Sequence, residues 1–206
     1  MINSGITTKT PGNIKFGAGV FFQNVTYSET VAPTEEAIIA GLLGATQDGG
    51  TVTITPEFFE PDLDGKLVAV EELTEKVGEE AIMETSMAEL TPALIAKSVI
   101  GTISETTDGN YDVITSSKLG KGHFYSGFGY YGKHLDGRPL IILFKKALCT
   151  SGFSSENKNK TNSVFKGTYK CYSDLEYGVE KLPYAIFVRK KEGWVPVEPE
   201  EVTTTE

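Results

Sequence analysis

The sequence predicts a mainly β chain with a single well-defined helix, and three observations carry that prediction. Frequent threonines and 22 glycines suit strands and turns better than a helical bundle. Several stretches alternate apolar and polar residues, the signature of a strand with one buried face. One segment alone combines a cap, a helical repeat and a stop. In that segment Thr85 to Leu90 reads as extended, Thr91 can cap a helix through its hydroxyl, and Pro92 falls where its fixed φ helps and its missing N–H costs nothing. Leu90/Leu94 and Ile95/Val99 repeat at helical spacing and Gly101 supplies a stop, so the helix is expected over about 91–100.

The chain before that helix divides into five parts, the last of them acidic. Residues 1–12 are polar, end in Pro11-Gly12 and are expected to form a flexible arm. Ile14, Phe16, Ala18, Val20 and Phe22 then alternate with Asn13, Lys15, Gly17, Gly19 and Phe21, which predicts a strand with one apolar face and glycines on the other. Residues 33–44 have the makings of a short helix, with Thr34 as cap and Gly44 as stop, and Gly41 counting against it. After the turn Gln47 to Gly50, a strand over 51–59 places Val52, Ile54 and Phe58 on one face, and Pro56 marks it as an edge or bulge.

Residues 57–84 hold ten acids against Lys66 and Lys76, which accounts for −8 of the chain's −9. They read as a long connection or hairpin arm, and a solvated loop is the plain structural explanation. Beyond the helix, strands are expected over 111–115, 123–131, 139–148, 164–172 and 183–189, with Gly109-Asn110, Asp136-Gly137 and Ser151-Gly152 turning between them. The polar run 154–162 should close a hairpin. One domain is expected over 13–190, followed by a mostly disordered tail, 191–206, in which Trp194 is the residue suited to docking.

Charge and motifs exclude more than they assign. With 19 basic residues against 28 acidic ones, tight binding of DNA or RNA is not expected. No apolar run approaches the ~20 residues that span a bilayer. Met1 to Gly5 lack the basic flank and apolar stretch of a signal peptide, so the expectation is a soluble protein made in a cytoplasm. Cys149 and Cys171 lack metal-ligand spacing and read as buried thiols, a disulfide staying open if their strands pair. His123 and His134, the two histidines, have no partners at ligand spacing. Gly127-Phe128-Gly129-Tyr130-Tyr131-Gly132 fits G-x-G-x-x-G, but Lys133 leads into a turn and a strand rather than the helix a phosphate cradle needs. No enzyme activity, cofactor or metal is expected.

Three stretches, in this order and spacing, resemble the major tail tube protein of long-tailed, siphovirus-type bacteriophages. They are Gly44 to Gly50 running into a strand with Pro56-Glu57 and then Asp64-Gly65; Glu84 to Leu94, with Glu89-Leu90-Thr91-Pro92; and Asp136-Gly137-Arg138-Pro139 with Ile141 to Leu143, Lys146 to Leu148, Gly152 to Ser154 and a return strand ending near Tyr172. The resemblance implies a β-sandwich with one flanking helix. It implies hexameric rings that join their sheets into a continuous barrel and stack into a tube through which DNA leaves the virion. By position, the acidic segment 60–80, with Glu60, Asp62, Asp64, Lys66, Glu71, Glu72, Glu75 and Lys76, is similar to the loop that reaches a neighbouring ring. The partners implied are further copies of the chain and the tape-measure, terminator and distal tail proteins, with DNA passing unbound and no membrane. The place implied is the virion tail, after assembly in the host cytoplasm.

The physical reading agrees with this. Long strands leave edges that ring closure would pair, and six chains at −9 carry about −54 per ring, which would repel a passing DNA backbone. Alternation sends Lys146, Lys166 and Lys170, with Lys145 nearby, toward a solvated face, either lumen or exterior. Two further readings stay open at this level. One is the tube of a contractile tail or type VI-like injection system. The other is a glycan-binding sandwich that stacks sugars on Tyr125, Tyr130 and Tyr131.

Overall fold

Nine strands and two short helices occupy the described residues of the computed structural model, 14–155 and 163–190. In order they are β1 (Lys15–Phe22), α1 (Glu35–Ala40), β2 (Thr46–Phe59), β3 (Glu75–Met87), α2 (Pro92–Ser98), β4 (Gly101–Glu105), β5 (Asp112–Ser116), β6 (Tyr125–His134), β7 (Pro139–Cys149), β8 (Phe165–Cys171) and β9 (Tyr184–Val188). The expected arm 1–12, most of the 154–162 loop and the tail 191–206 with Trp194 lie outside the described residues.

The fold is mainly β, an open sandwich-like arrangement rather than a barrel. The main sheet runs β1-β6-β7-β8-β3-β2 with every pair antiparallel, while β4 and β5 form a separate hairpin beside α2. β7 is the branch point. Its first half pairs β9 (Leu140↔Val188 to Phe144↔Tyr184) and its last residues pair β8 (Ala147↔Cys171, Cys149↔Tyr169). The handover falls at Lys145, whose N–H donates to Pro183 O at 2.8 Å. Beyond that point β9 replaces β8 along β7, and β3 continues outward with β2 alone.

The core is aromatic, and glycines make room for it. Phe21, Phe128, Tyr125, Tyr130, Phe144, Phe165 and Tyr169 are buried with Met83 and Met87 between the inner faces. Phe128 stacks on Tyr169 with centroids 4.4 Å apart, and Tyr125 meets Tyr169 edge-on at 5.4 Å. A Cβ on Gly129 would lie 2.4 Å from Phe22 Cζ, one on Gly132 2.5 Å from Tyr130 Oη, and one on Gly50 2.5 Å from Phe21 Cζ. Gly50 thus brings β2 against β1, so the two terminal strands of the sheet flank one core without pairing. A second cluster (Phe22, Val25, Ile38, Ile141, Leu143) fills the opposite face of β1-β6-β7-β9 under α1.

Several expectations change. β1 does not keep one apolar face. Four steps from Phe16 to Val20 oppose two from Lys133 to Tyr131, Gly17 and Gly19 take positive φ, and the slip leaves Val20 exposed with Phe21 and Phe22 buried on opposite sides. Instead of one flanking helix there are two short ones. Thr34 caps α1, accepting from Ala37 N at 3.3 Å, and Gly41, not Gly44, ends it. Thr91 caps α2 as expected, accepting from Leu94 N at 3.2 Å. That helix stops at Ser98 because Ile100 turns the chain at φ +54°, an uncommon state for a β-branched residue. Gly101 opens β4 instead of closing the helix; a Cβ there would sit 2.9 Å from Thr115 O of the paired strand.

Candidate assembly surfaces

The acidic segment is mostly a strand arm. β2 and β3 pair from Thr46↔Met87 to Phe59↔Glu75, with register shifts between Gln47 and Gly50 and between Glu57 and Phe58, but β8 covers only Ile82 to Met87 of β3. Among the described residues the outer half of the hairpin therefore keeps an unpaired edge, and the long loop shrinks from 60–80 to 60–74. Glu75 and Lys76 belong to β3, not to the loop. The reason is pairing: Val77 bulges while Phe58 and Phe59 continue the ladder with Lys76 and Glu75. Among the eight residues singled out here, the two cations pair locally. Lys66 Nζ lies 3.0 Å from Glu60 Oε2 and 3.2 Å from Pro61 O, and Lys76 Nζ lies 2.9 Å from Glu79 Oε1. Asp62, Asp64, Glu71, Glu72 and Glu75 form no ion pair among the described residues, so the tip is strongly negative.

The arm also exposes what a solvated loop would hide. Phe58 is 60% exposed, Val77 57%, Val68 71% and Leu67 94%. By alternation Phe58 continues the row of Val52 and Ile54, which pack on the core, so the core-facing stripe runs out past the body into solvent. At its root Glu79 is tied down. Burial pushes its carboxyl pKa up, but hydrogen bonds from Lys76 and Tyr184 (Oη to Oε1, 2.7 Å) outweigh this and hold it below the ordinary value.

Lys146, Lys166 and Lys170 share the outward face of β7 and β8, opposite the aromatic core. Lys170 Nζ lies 2.6 Å from Glu80 Oε1, which raises its pKa, and Lys146 Nζ lies 3.4 Å from Ser126 Oγ. Lys145 turns elsewhere, to Asp174 at 3.0 Å. Register sets Thr51 beside Glu84 and Thr168, Thr53 beside Ile82 and Lys170, Thr55 beside Glu80, and Lys166 beside Ser86. The face is mostly polar and mixed in sign, with Ile82 and Leu148 beside Lys170.

A basic end was missed from the sequence because several strand ends build it. Lys15 lies opposite His134, Lys133 opposite Pro139, and Arg189 N donates to Pro139 O at 3.3 Å, with Lys190 following. The acids nearby are Asp136, held by Arg138 Nε at 2.7 Å and so kept below its ordinary pKa, and Glu35, which accepts from Tyr131 Oη at 3.0 Å. Beside this end a groove of about 590 Å³ runs between α1 and β9, lined by Pro33, Tyr131, Ile141, Phe187, Val188 and Arg189. The edge of β9 away from β7 carries no strand among the described residues.

Other motifs resolve as structure. The glycine run lies inside β6 and leads through a turn into β7, and a Cβ on Gly127 would fall 1.6 Å from Val25 O, so these glycines serve packing. The three tyrosines expected to stack sugars do not form one surface: Tyr125 and Tyr130 are 1% and 0% exposed, with rings no ligand can reach, while Tyr131 is half-buried and lines the α1–β9 groove. Cys149 and Cys171 sit on paired strands but are offset by two residues, and both are free. Burial pushes both thiols up, that of Cys171 to about 12, which leaves them unreactive. His123 is used locally, Nδ1 accepting from Gly120 N at 3.0 Å. Among the described residues no three His, Cys, Asp or Glu side chains gather as a metal site, and no helix is long and apolar enough to cross a membrane.

No family model and no curated protein match the chain. Among solved structures, the chain is similar to one in "Virion of native gene transfer agent (GTA) particle", with a TM-score of 0.40 and 8% identity over 82% of this chain and 95% of that one. The likeness is distant.

Proposed function

We propose that this chain is a structural subunit that polymerises with itself into a tail tube, as stacked hexameric rings through which DNA passes during ejection. One observation carries the reading: a long β hairpin whose outer half keeps an unpaired edge and exposes Phe58, Val68, Leu67 and Val77. Unpaired edges and apolar surface together are a hazard unless a partner covers them. A second copy is the simplest partner, since a heterologous contact repeated around an axis closes into a ring.

The sequence resemblance to tail tube proteins supports the hexamer, the stacking, the virion tail as its place and the tape-measure, terminator and distal tail proteins as neighbours. The polar face carrying Lys146, Lys166 and Lys170 suits a lumen wall, because Glu80 and Glu84 lie among the lysines and offer a DNA backbone no continuous positive track. A sheath around the tube would change none of these features, so a contractile-tail or type VI-like tube is a variant of the same reading. Electron microscopy of the concentrated protein tests it. Rings or tubes are expected, and monodisperse particles of one chain at every concentration would overturn it.

A further inference from the structure

Resting on that reading, we infer that the arm of one copy seats in the α1–β9 groove of a second copy, its acidic tip against the basic end beside that groove. The two surfaces match in both chemical respects. The arm offers exposed Phe58, Leu67, Val68 and Val77 flanked by Asp62, Asp64, Glu71, Glu72 and Glu75. The groove offers apolar walls from Pro33, Tyr131, Ile141, Phe187 and Val188 and, among the described residues, an unpaired β9 edge; Glu35 also lines it, its carboxylate accepting from Tyr131 Oη, with Arg189 at the basic end. Lys133, Arg189 and Lys190 beside it form no ion pair among the described residues.

Topology puts donor and acceptor at one level. β3 and β7 are both antiparallel to β8 and so run the same way, which sets Glu75, at the base of the arm tip, and Pro139, at the basic end, at the same end of the molecule. A rotation about an axis along these strands keeps such features at one height, so a second copy placed by it presents its groove at the level of the arm's base. The negative charge held in the arm and the positive charge held at the strand ends then steer one orientation and penalise arm-to-arm contact.

A charge-swap experiment tests this. One variant carries Lys133→Glu and Arg189→Glu, the other Glu71→Lys and Glu72→Lys; all four side chains are exposed, and circular dichroism and melting check that both fold as the unaltered protein does. Each alone should need about tenfold more protein, or greater, for half-maximal sedimentable assembly. An equimolar mixture should recover to within about twofold of the unaltered protein, since each variant's arm then meets a groove of opposite charge. Assembly of each variant alone as readily as the unaltered protein overturns the inference and leaves the tube reading standing. So does a defect that mixing does not repair, including one repaired only when both swaps share one chain, which would place the contact within a single molecule. If the unaltered protein never assembles, the tube reading itself falls, and this inference with it.

Discussion

β3 is a single strand in two environments. From Ile82 to Met87 it has β2 on one side and β8 on the other, and Met83, Thr85 and Met87 are buried; from Glu75 to Ala81 it has β2 alone and is mostly exposed. The same hairpin geometry serves both halves. What differs is the supply of partners among the described residues: β8 ends at Cys171, β9 takes its place along β7, and no described strand takes its place along β3. The inner half is fold, and the outer half is exposed surface that the proposed assembly would cover. A substitution should therefore change stability in one half and assembly in the other.

The largest separation is expected between Tyr169→Ala and a shortened arm. Tyr169 is fully buried against Phe128 and Tyr125, so its loss should destabilise the monomer by about 3–5 kcal/mol in urea unfolding. Replacing residues 60–74 with a two-residue Asn-Gly turn between Phe59 and Glu75 should leave the monomer's melting temperature nearly unchanged and abolish polymers by sedimentation. Loss of folding from the shortened arm, or normal-length tubes in its presence, breaks the comparison.

Glycine substitutions sharpen it at smaller amplitude. Gly129→Ala drives a methyl to 2.4 Å from Phe22 Cζ and 2.6 Å from Ile142 O, a packed ring and a backbone atom, and should cost about 1–3 kcal/mol by thermal unfolding. Gly65→Ala, at φ +87° in the arm loop with open space around it, should cost about 1 kcal/mol or less, from backbone strain alone. Similar costs at the two sites would mean that arm and core are equally packed. Thr91→Ala should cost about 1 kcal/mol by removing the acceptor for Leu94 N.

The smallest effect concerns acid. Glu79 has its carboxyl pKa lowered in the fold, so its contribution is present above the ordinary carboxylate value of 4.5 and is lost as pH falls through the folded value. Glu79→Gln should flatten the fall of stability over that acidic window and leave stability near pH 7 little changed. An unchanged slope would place the acid sensitivity elsewhere.

Elements whose signals are local were legible in the sequence. The Thr91-Pro92 start of α2 and strands β6 to β9 could be read from capping, alternation and turn residues, but β3 could not: the acidic stretch that holds it reads only as a long connection or hairpin arm. The end of α2 could not, because Ile100 adopts a backbone state that its side chain disfavours and only the pairing of Gly101 with Ser116 accounts for it. β1 misled for a similar reason: the two-residue slip at Gly17 and Gly19 changes which side chains face the core, and alternation does not see a slip. Tyr125 and Tyr130 looked available for stacking because aromatic residues beside glycines suit a surface as well as a core. Gly19 and Gly132, where a Cβ would fall 2.4 and 2.5 Å from Tyr130 Oη, make room for that ring, and Tyr125 is enclosed by Phe128 and Tyr169. The arm's charge was plain, whereas its acceptor was invisible, since Lys15, Lys133, Arg189 and Lys190 come together only when strands far apart in sequence are laid side by side.

The most direct measurement is negative-stain microscopy of the concentrated protein beside the short-arm form at the same concentration. The account predicts rings or tubes from the first and dispersed, folded single chains from the second. Dispersed chains from both, or tubes of equal length from both, would contradict it.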